Sequence, residues 1–165
     1  MTIPTRLSAF LEQRGTPYEI CVHRRSRSSA ETARAANVSP HQIAKSVILE
    51  DEAGPVMAVL PADRSVLLRD AAQLFGRRNL HLADESRLTT LFEDCDPGAV
   101  PPVGMAWGVP TLVEDELDTN AELYLESGDH QHLLRMPAAS FRALMLDARH
   151  GHFCHAPTGR GGRMR

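Results

Sequence analysis

The chain has 165 residues, of which 42% are apolar and 24% charged, ordinary values for one soluble globular domain. Its formal net charge of −3 excludes a broadly cationic surface that would coat nucleic acid, although a local basic patch is still possible. The three cysteines are widely spaced and odd in number, which indicates a reducing cytoplasm rather than a disulfide framework. No segment has the length and apolarity of a membrane span, and no signal peptide is recognisable, so we expect no membrane partner.

The first part of the chain combines short helices with one strand. Apolar residues at helical spacing predict a helix over about 5–14, and alternating apolar residues predict a half-buried strand over 18–22. Ser28-Ser29-Ala30-Glu31 is a capping box that opens an alanine-rich helix. Ser39-Pro40-His41-Gln42 is a second capping box, whose helix has room for little more than one turn before Lys45.

Two apolar runs, over 46–50 and 56–60, flank a turn and predict a central hairpin. Their nearly continuous apolar character indicates burial on both faces. Downstream we predict a short helix closed by Gly76, a strand near 80–83 and a helix capped by Asp84.

Residues 95–108 are rich in glycine and proline, and no regular element fits them. A strand is predicted over 109–113, and a second hairpin joins 121–126 to 131–136. Pro137 starts the last predicted helix.

The interspersed elements, without an internal repeat or a linker, predict a single α/β domain over 1–148. We expect a curved, mixed α+β sheet of about six or seven strands covered by helices. Residues 149–165 are rich in histidine, arginine and glycine, and we predict that they form a flexible tail.

Lys45 is an unusual residue for its surroundings, since it lies between a short predicted helix and an apolar strand. A desolvated lysine has a lowered pKa and can act as a base, a nucleophile or an aimed cation. The alternative is a lysine whose stem packs against apolar neighbours while its ammonium group stays in water.

Two further motifs each allow two interpretations. The stretch Gly98-Ala99-Val100-Pro101-Pro102-Val103-Gly104 is stiff, because proline fixes φ, and its glycines permit close approach. It can present backbone groups to a small ligand or serve as a rigid connector. Gly128-Asp129-His130 falls in a hairpin turn, where the histidine is either an acid–base group or an ordinary turn residue.

The stretch His150-Gly151-His152-Phe153-Cys154-His155 contains residue types that bind zinc, but its spacing matches no closed structural site. We therefore expect neither a metal nor another cofactor. A zinc protein organised by this tail is a further alternative, which metal analysis of the purified protein would test. No phosphate loop, zinc-protease helix or nucleophile elbow is present either.

Three stretches together resemble the YbaK/prolyl-tRNA-synthetase-associated (ProX-like) editing domain family: SSAETARAANVSPHQIAKSVILED, FEDCDPGAVPPVGMAWGVPTLVEDEL and YLESGDHQHLLRMPAASFRALM. The resemblance runs in order from the first helix to about Leu146. Family members hydrolyse the ester of wrongly aminoacylated tRNA. The resemblance implies a free-standing, cytoplasmic, trans-editing deacylase for tRNA that carries a small amino acid, namely alanine, cysteine, serine or threonine.

By position, the resemblance makes Lys45 the essential catalytic lysine and places the aminoacyl group in the proline-containing loop. The substrate-binding residues it implies are Ser46, Gly98, Ala99, Val100, Pro101, Pro102, Gly104, Gly128, Asp129 and His130. We expect the acceptor end of aminoacyl-tRNA as partner, with contacts from Arg24, Arg25 and Arg27, and an aminoacyl-tRNA synthetase as a second partner. No DNA is expected. The alternative is a non-catalytic module of the same fold that binds tRNA or a partner, which a deacylation assay would distinguish.

Overall fold

A computed structural model describes residues 3–156 of the chain. The helices are α1 (Thr5–Gln13), α2 (Ser29–Ala36), α3 (Leu68–Phe75), α4 (Glu85–Leu91) and α5 (Ala138–Leu144). The strands are β1 (Glu19–Val22), β2 (Ile43–Asp51), β3 (Gly54–Pro61), β4 (Ser65–Val66), β5 (His81–Leu82), β6 (Thr111–Glu114), β7 (Glu122–Glu126), β8 (His132–Pro137), β9 (Arg149–Gly151) and β10 (Cys154–His155). Short 3-10 helices lie at Pro40–Gln42, Gly104–Trp107 and Asp115–Thr119.

Eight of these strands form one sheet. Its order is β1-β8-β7-β2-β3-β6-β9, with β5 paired to β2 off this path, while β4 and β10 pair separately. The pairs β2–β7, β3–β6 and β6–β9 are parallel, and the remaining pairs of this sheet are antiparallel. The predicted mixed α/β domain is confirmed. The sheet has eight strands rather than the predicted six or seven, because β9 is too short to leave a periodic pattern in the sequence, whereas β5 lies in the strand predicted near 80–83.

The core lies on both faces of the central β2–β3 hairpin. Met57 and Val59 pack on one side of β3, whereas Val56, Ala58 and Leu60 pack on the other, and all five are fully buried. Each fully buried large aliphatic side chain stabilises the fold by about 1.5 to 3 kcal/mol. The prediction that this hairpin is buried on both faces is confirmed.

The capping box before α2 is confirmed and fixes the segment that precedes the helix. The Glu31 backbone amide donates to Ser28 Oγ at 3.1 Å. The Glu31 carboxylate in turn accepts from the Arg27 backbone amide at 2.9 Å. These two bonds satisfy amides that a helix start leaves free, and they position the backbone of Arg27.

The second capping box produces only a 3-10 turn over Pro40–Gln42, with Ser39 Oγ accepting from the His41 amide at 3.3 Å. Strand β2 then begins at Ile43. Lys45 is therefore the third residue of a strand, which corrects the prediction that it lies at a boundary between a helix and a strand.

The predicted flexible tail is wrong for residues 149–156. Strand β9 extends the main sheet beside β6, and β10 pairs with β4. Between these strands Phe153 is fully buried. Together with Cys154 it packs on the face of β3 that carries Val56, Ala58 and Leu60. The buried aromatic ring and the two strand pairings together hold this segment in place. Residues 157–165 lie outside the described residues.

Within residues 3–156, no helix has the length and apolar character needed to span a membrane.

Candidate active site in a split of the sheet

The central sheet opens along one edge of β2. The parallel pairing of β2 with β7 ends at Ala44 opposite Leu125, and on the same edge β5 joins only at Leu49 opposite Leu82. Within the described chain, no strand pairs with 45–47 on this edge. We call this gap the split. Backbone amides and carbonyls at such an unpaired edge are available to a ligand.

The loop over 98–104, with the residues just before it, is tied to both sides of the split. Ser46 Oγ on β2 donates to the Val100 carbonyl oxygen at 3.0 Å. The Asp96 amide donates to the Gly128 carbonyl oxygen at 2.7 Å, in the turn between β7 and β8. Strand β2, the loop and the turn between β7 and β8, which are distant in sequence, therefore meet at the split.

Gly98 lies at the closest approach of these segments. Its φ is +81°, a conformation that favours glycine. A Cβ atom built here would lie 3.4 Å from Cε1 of His130 and 3.7 Å from the Arg27 carbonyl oxygen. The positive φ is thus what requires glycine here, since a Cβ atom would make only ordinary van der Waals contacts with His130 and Arg27.

The hydrogen bonding of His130 determines its tautomer. Its Nε2 atom lies 2.5 Å from the Pro97 carbonyl oxygen, and since a carbonyl can only accept, Nε2 carries a proton. Nδ1 is buried and has no hydrogen-bond partner among the described residues. In the neutral ring this nitrogen is an unused acceptor.

The remaining residues of the loop form its rigid base. Ala99, Val100, Pro101 and Pro102 are buried. A side chain at Gly104 would collide with the Thr111 hydroxyl group, so this glycine is required for packing. The stiffness that the sequence predicted is thus reinforced by burial.

Asp129 holds the turn between β7 and β8. Its Oδ1 atom accepts hydrogen bonds from the backbone amides of Gln131 and His132, each at 2.9 Å. Its Oδ2 atom also lies 2.9 Å from Nδ1 of His132. This is the usual way in which an aspartate organises a turn, and it fixes the backbone on which His130 is carried.

Lys45 lies at the start of the split and is half-buried. Adjacent strand residues point to opposite faces, so its side chain leaves β2 on the face opposite Ser46. Burial lowers the pKa of Lys45, and the charges of Asp63 and Cys154 oppose this effect. It is also the only lysine in the sequence, since every other basic residue among the 18 is arginine.

Glu126 is a residue that the sequence prediction missed. It follows Leu125, the last β7 residue paired with β2, and is only 1% exposed. Burial raises the pKa of Glu126 to about 8, an effect that Thr32 partly opposes and that the charge of Asp129 reinforces. Neither carboxylate oxygen has a partner in hydrogen-bonding geometry among the described residues. A lone acid at the end of an apolar strand was the available signal.

The three predicted arginines lie at the rim of this region. Arg24, Arg25 and Arg27 are exposed. Arg25 makes an exposed ion pair with Asp96 at 3.4 Å, and the Arg27 carbonyl oxygen faces Gly98. An exposed ion pair of this kind contributes about 0 to 1 kcal/mol to stability, so Arg25 can release Asp96 and bind another anion instead.

Two adjacent cavities open beside the loop, with volumes of about 250 and 340 Å³. Gly98, Val100 and Leu88 line both of them, and the smaller one also reaches Ser46 and Val47. Volumes of this order suit a small ligand. Lys45 lines neither of these two cavities.

A sequence profile of the aminoacyl-tRNA editing domain matches residues 23–144. The chain belongs to the aminoacyl-tRNA editing domain family. The matched region contains all of the residues that form the split, the loop and the arginine rim. No curated protein matches the sequence of this editing domain.

Solved structures share the fold of this editing domain. A proposed trans-editing enzyme for prolyl-tRNA synthetase superposes with a TM-score of 0.78 at 24% identity, covering 92% of this chain and 96% of the other. The hypothetical protein APE2540 gives a TM-score of 0.80 at 22% identity, with 91% and 99% covered. A proposed signal transduction protein from Marinobacter aquaeolei gives 0.73 at 21% identity, covering 95% of this chain but 32% of that longer protein.

Proposed function

We propose that this editing domain is an aminoacyl-tRNA deacylase that acts in trans and hydrolyses the ester between a small amino acid and the 3′ end of tRNA. The observation that supports this most strongly is the convergence of three segments at the split. Ser46 binds the Val100 carbonyl, Gly98 packs on His130, and Asp96 binds the carbonyl of Gly128.

The chemistry required is modest, because an aminoacyl ester is already activated. The protein has to place a water molecule, hold the ester carbonyl and balance developing charge. The unpaired edge of β2 over 45–47 and the stiff loop over 98–104 supply backbone donors and acceptors at fixed positions. The 2′-hydroxyl of the terminal ribose can assist the attacking water, and so a side-chain triad is not required.

His130 positions the loop in this proposal. Its Nε2–H donates to the Pro97 carbonyl oxygen at 2.5 Å, which holds the start of the loop beside Gly98. The ring is buried, so we assign it this positioning role rather than a contact with the substrate.

Lys45 supplies the cation. Its side chain leaves β2 on the face opposite Ser46, so we propose that its flexible four-carbon stem reaches around the unpaired strand edge to bring the ammonium group to the terminal phosphate or to the ester carbonyl. The partial burial that lowers its pKa also strengthens its interaction with an anion.

The cavity of about 250 Å³ beside Ser46 is the place that we propose for the amino-acid side chain, which this editing domain would select as a second sieve after the synthetase. We propose alanine, cysteine, serine or threonine as the amino acid removed. The setting of such a reaction is the cytoplasm, where tRNA is charged, and a synthetase is the expected docking partner.

Single-turnover deacylation of a panel of mischarged tRNAs tests this function. We expect hydrolysis of at least one small aminoacyl ester above the rate in buffer, and loss of that activity in His130→Ala. Binding of the same tRNAs without hydrolysis would instead identify a binding module and refute the deacylase.

A further inference from the structure

A cluster of metal-binding side chains lies outside the split. Glu114 ends β6 and Glu116 belongs to the following 3-10 helix, while His152 and Cys154 flank Phe153 in the C-terminal segment. The donor atoms of the four side chains all lie within 4.8 Å of one another. The sequence alone could not assemble this set, because its two halves are separated by more than thirty positions.

The spacing of the donor atoms suits a tetrahedral ion. His152 Nδ1 lies 2.8 Å from Glu114 Oε2 and 4.0 Å from Glu116 Oε2, and Cys154 Sγ lies 3.7 Å from Glu116 Oε2. Around a tetrahedral zinc ion, neighbouring ligand atoms are about 3.3 to 3.6 Å apart. The observed distances lie on either side of this range, so small side-chain movements would complete the site.

Each carboxylate is held in place through its other oxygen. Glu114 Oε1 accepts from the Phe153 amide at 2.7 Å, and Glu116 Oε1 accepts from Arg64 Nε at 2.8 Å. Glu114 Oε2 additionally accepts from the Glu116 amide at 3.1 Å. Donors of this kind commonly orient the ligands of metal sites in proteins, and they leave one oxygen of each carboxylate facing the cluster.

Burial and access are also appropriate for a bound cation. Glu114 is fully buried and Cys154 is 2% exposed, whereas the His152 side chain is 61% exposed and leaves a route for entry. Thiolate and imidazole donors favour zinc over magnesium or calcium.

We propose that Glu114, Glu116, His152 and Cys154 form a structural zinc site that pins the C-terminal segment to β6. Zinc displaces the thiol proton of Cys154 to solvent and the proton that Nδ1 of His152 shares with Glu114, which moves to Nε2 of a neutral ring or to solvent from a protonated one. All four positions around the metal are filled by protein, which is typical of a structural rather than a catalytic site. The site thereby stabilises β9 and β10. It lies outside the split, although Cys154 is close enough to Lys45 to influence the pKa of that lysine.

Metal binding can be measured directly on the untagged full chain, stripped with a chelator and kept reduced. We expect one zinc ion per chain after reloading. Cobalt in place of zinc should give the visible bands of a tetrahedral ion and a charge-transfer band from the thiolate. At a hundredfold excess over Kd, zinc should raise Tm by about 5 to 10 °C.

Matched variants localise the ion. His152→Ala and Cys154→Ser should lose the bound zinc, and Cys154→Ser should lose the charge-transfer band, whereas His155→Ala and Cys95→Ser should retain both. The proposal is overturned if the wild-type chain binds no zinc after reloading, or if Cys154→Ser keeps the thiolate band. The wild-type measurement decides the question even if a variant fails to fold.

Discussion

Ser46 on β2 and Val100 in the loop are joined by a hydrogen bond of 3.0 Å from the serine hydroxyl to the backbone carbonyl. This bond links the unpaired edge of the central strand to the segment that closes the split. The bond is partly buried, because Val100 is 7% exposed while Ser46 is half-buried, and both residues line the smaller open cavity.

Ser46→Ala should therefore cost about 0.5 to 1.5 kcal/mol, the usual net contribution of one hydrogen bond to stability. We also expect a lower kcat/KM, because the loop loses its attachment to β2. Urea unfolding measures the first effect and deacylation kinetics the second. Ser8→Ala is the control, since the Ser8 hydroxyl bonds only to the Thr5 carbonyl within α1 at 3.1 Å, and it should leave activity unchanged.

Gly98→Ala should reduce deacylation more than stability. The substitution places a β-carbon against His130 and forces a residue with φ of +81° to carry a side chain, which costs about 1 to 2 kcal/mol. Gly108→Ala is a close control, because its φ is +71° and no atom lies within 4 Å of the new carbon. Equal activity of the two variants would show that the contact with His130 has no part in the reaction.

Glu126 should make stability depend on pH. Its pKa rises from 4.5 to about 8 on folding, so the folded protein holds this proton more tightly than the unfolded chain. The stability it contributes is complete below pH 4.5 and is lost as the pH rises to about 8. At about 1.4 kcal/mol per pKa unit, this loss reaches about 5 kcal/mol.

Glu126→Gln keeps the neutral shape and cannot ionise. Chemical unfolding from pH 5 to 9 should show a flatter profile for this variant than for the wild type, and greater stability above pH 8. Glu122→Gln, on the same strand but less buried, should follow the wild-type profile. If the free energy of unfolding falls equally with pH in Glu126→Gln and in the wild type, a group other than Glu126 is responsible for the decline.

The arginine rim should contribute to tRNA binding through phosphates. Replacing Arg24, Arg25 and Arg27 together by alanine should make the slope of log K against log salt shallower by about 2, given about 0.7 per contact to a single strand. Arg69→Ala on α3, also exposed, serves as the control and should keep the wild-type slope. An unchanged slope in the triple variant would remove the rim from the interface.

The sequence predicted the parts of the fold that have local signatures. The capping box at Ser28, the central apolar hairpin and the stiff loop at Gly98 each rest on a few neighbouring residues, and each is present in the structure. The resemblance to editing domains likewise depended on short motifs, and the family match confirms it.

Features created by pairing between distant segments could not be predicted in this way. Strand β9 is formed by three residues without apolar alternation, and it exists because β6 and the buried Phe153 hold it. The split depends on where β7 stops pairing with β2, and no local pattern marks that point. Glu126 escaped notice because its burial results from several elements packing around it.

The roles of Lys45 and the loop in ester hydrolysis form the central claim. Single-turnover deacylation of tRNA mischarged with alanine, cysteine, serine or threonine, by the wild type, Lys45→Ala and Lys45→Arg, tests it most directly. We expect at least one ester to be hydrolysed well above its rate in buffer, with Lys45→Ala folded but slower by about 100-fold or more, the usual effect of removing one electrostatic contact to a transition state. Lys45→Arg keeps the charge and should retain part of the activity. Hydrolysis by Lys45→Ala at the wild-type rate, or no hydrolysis of any of the four esters by the wild type, would contradict the account.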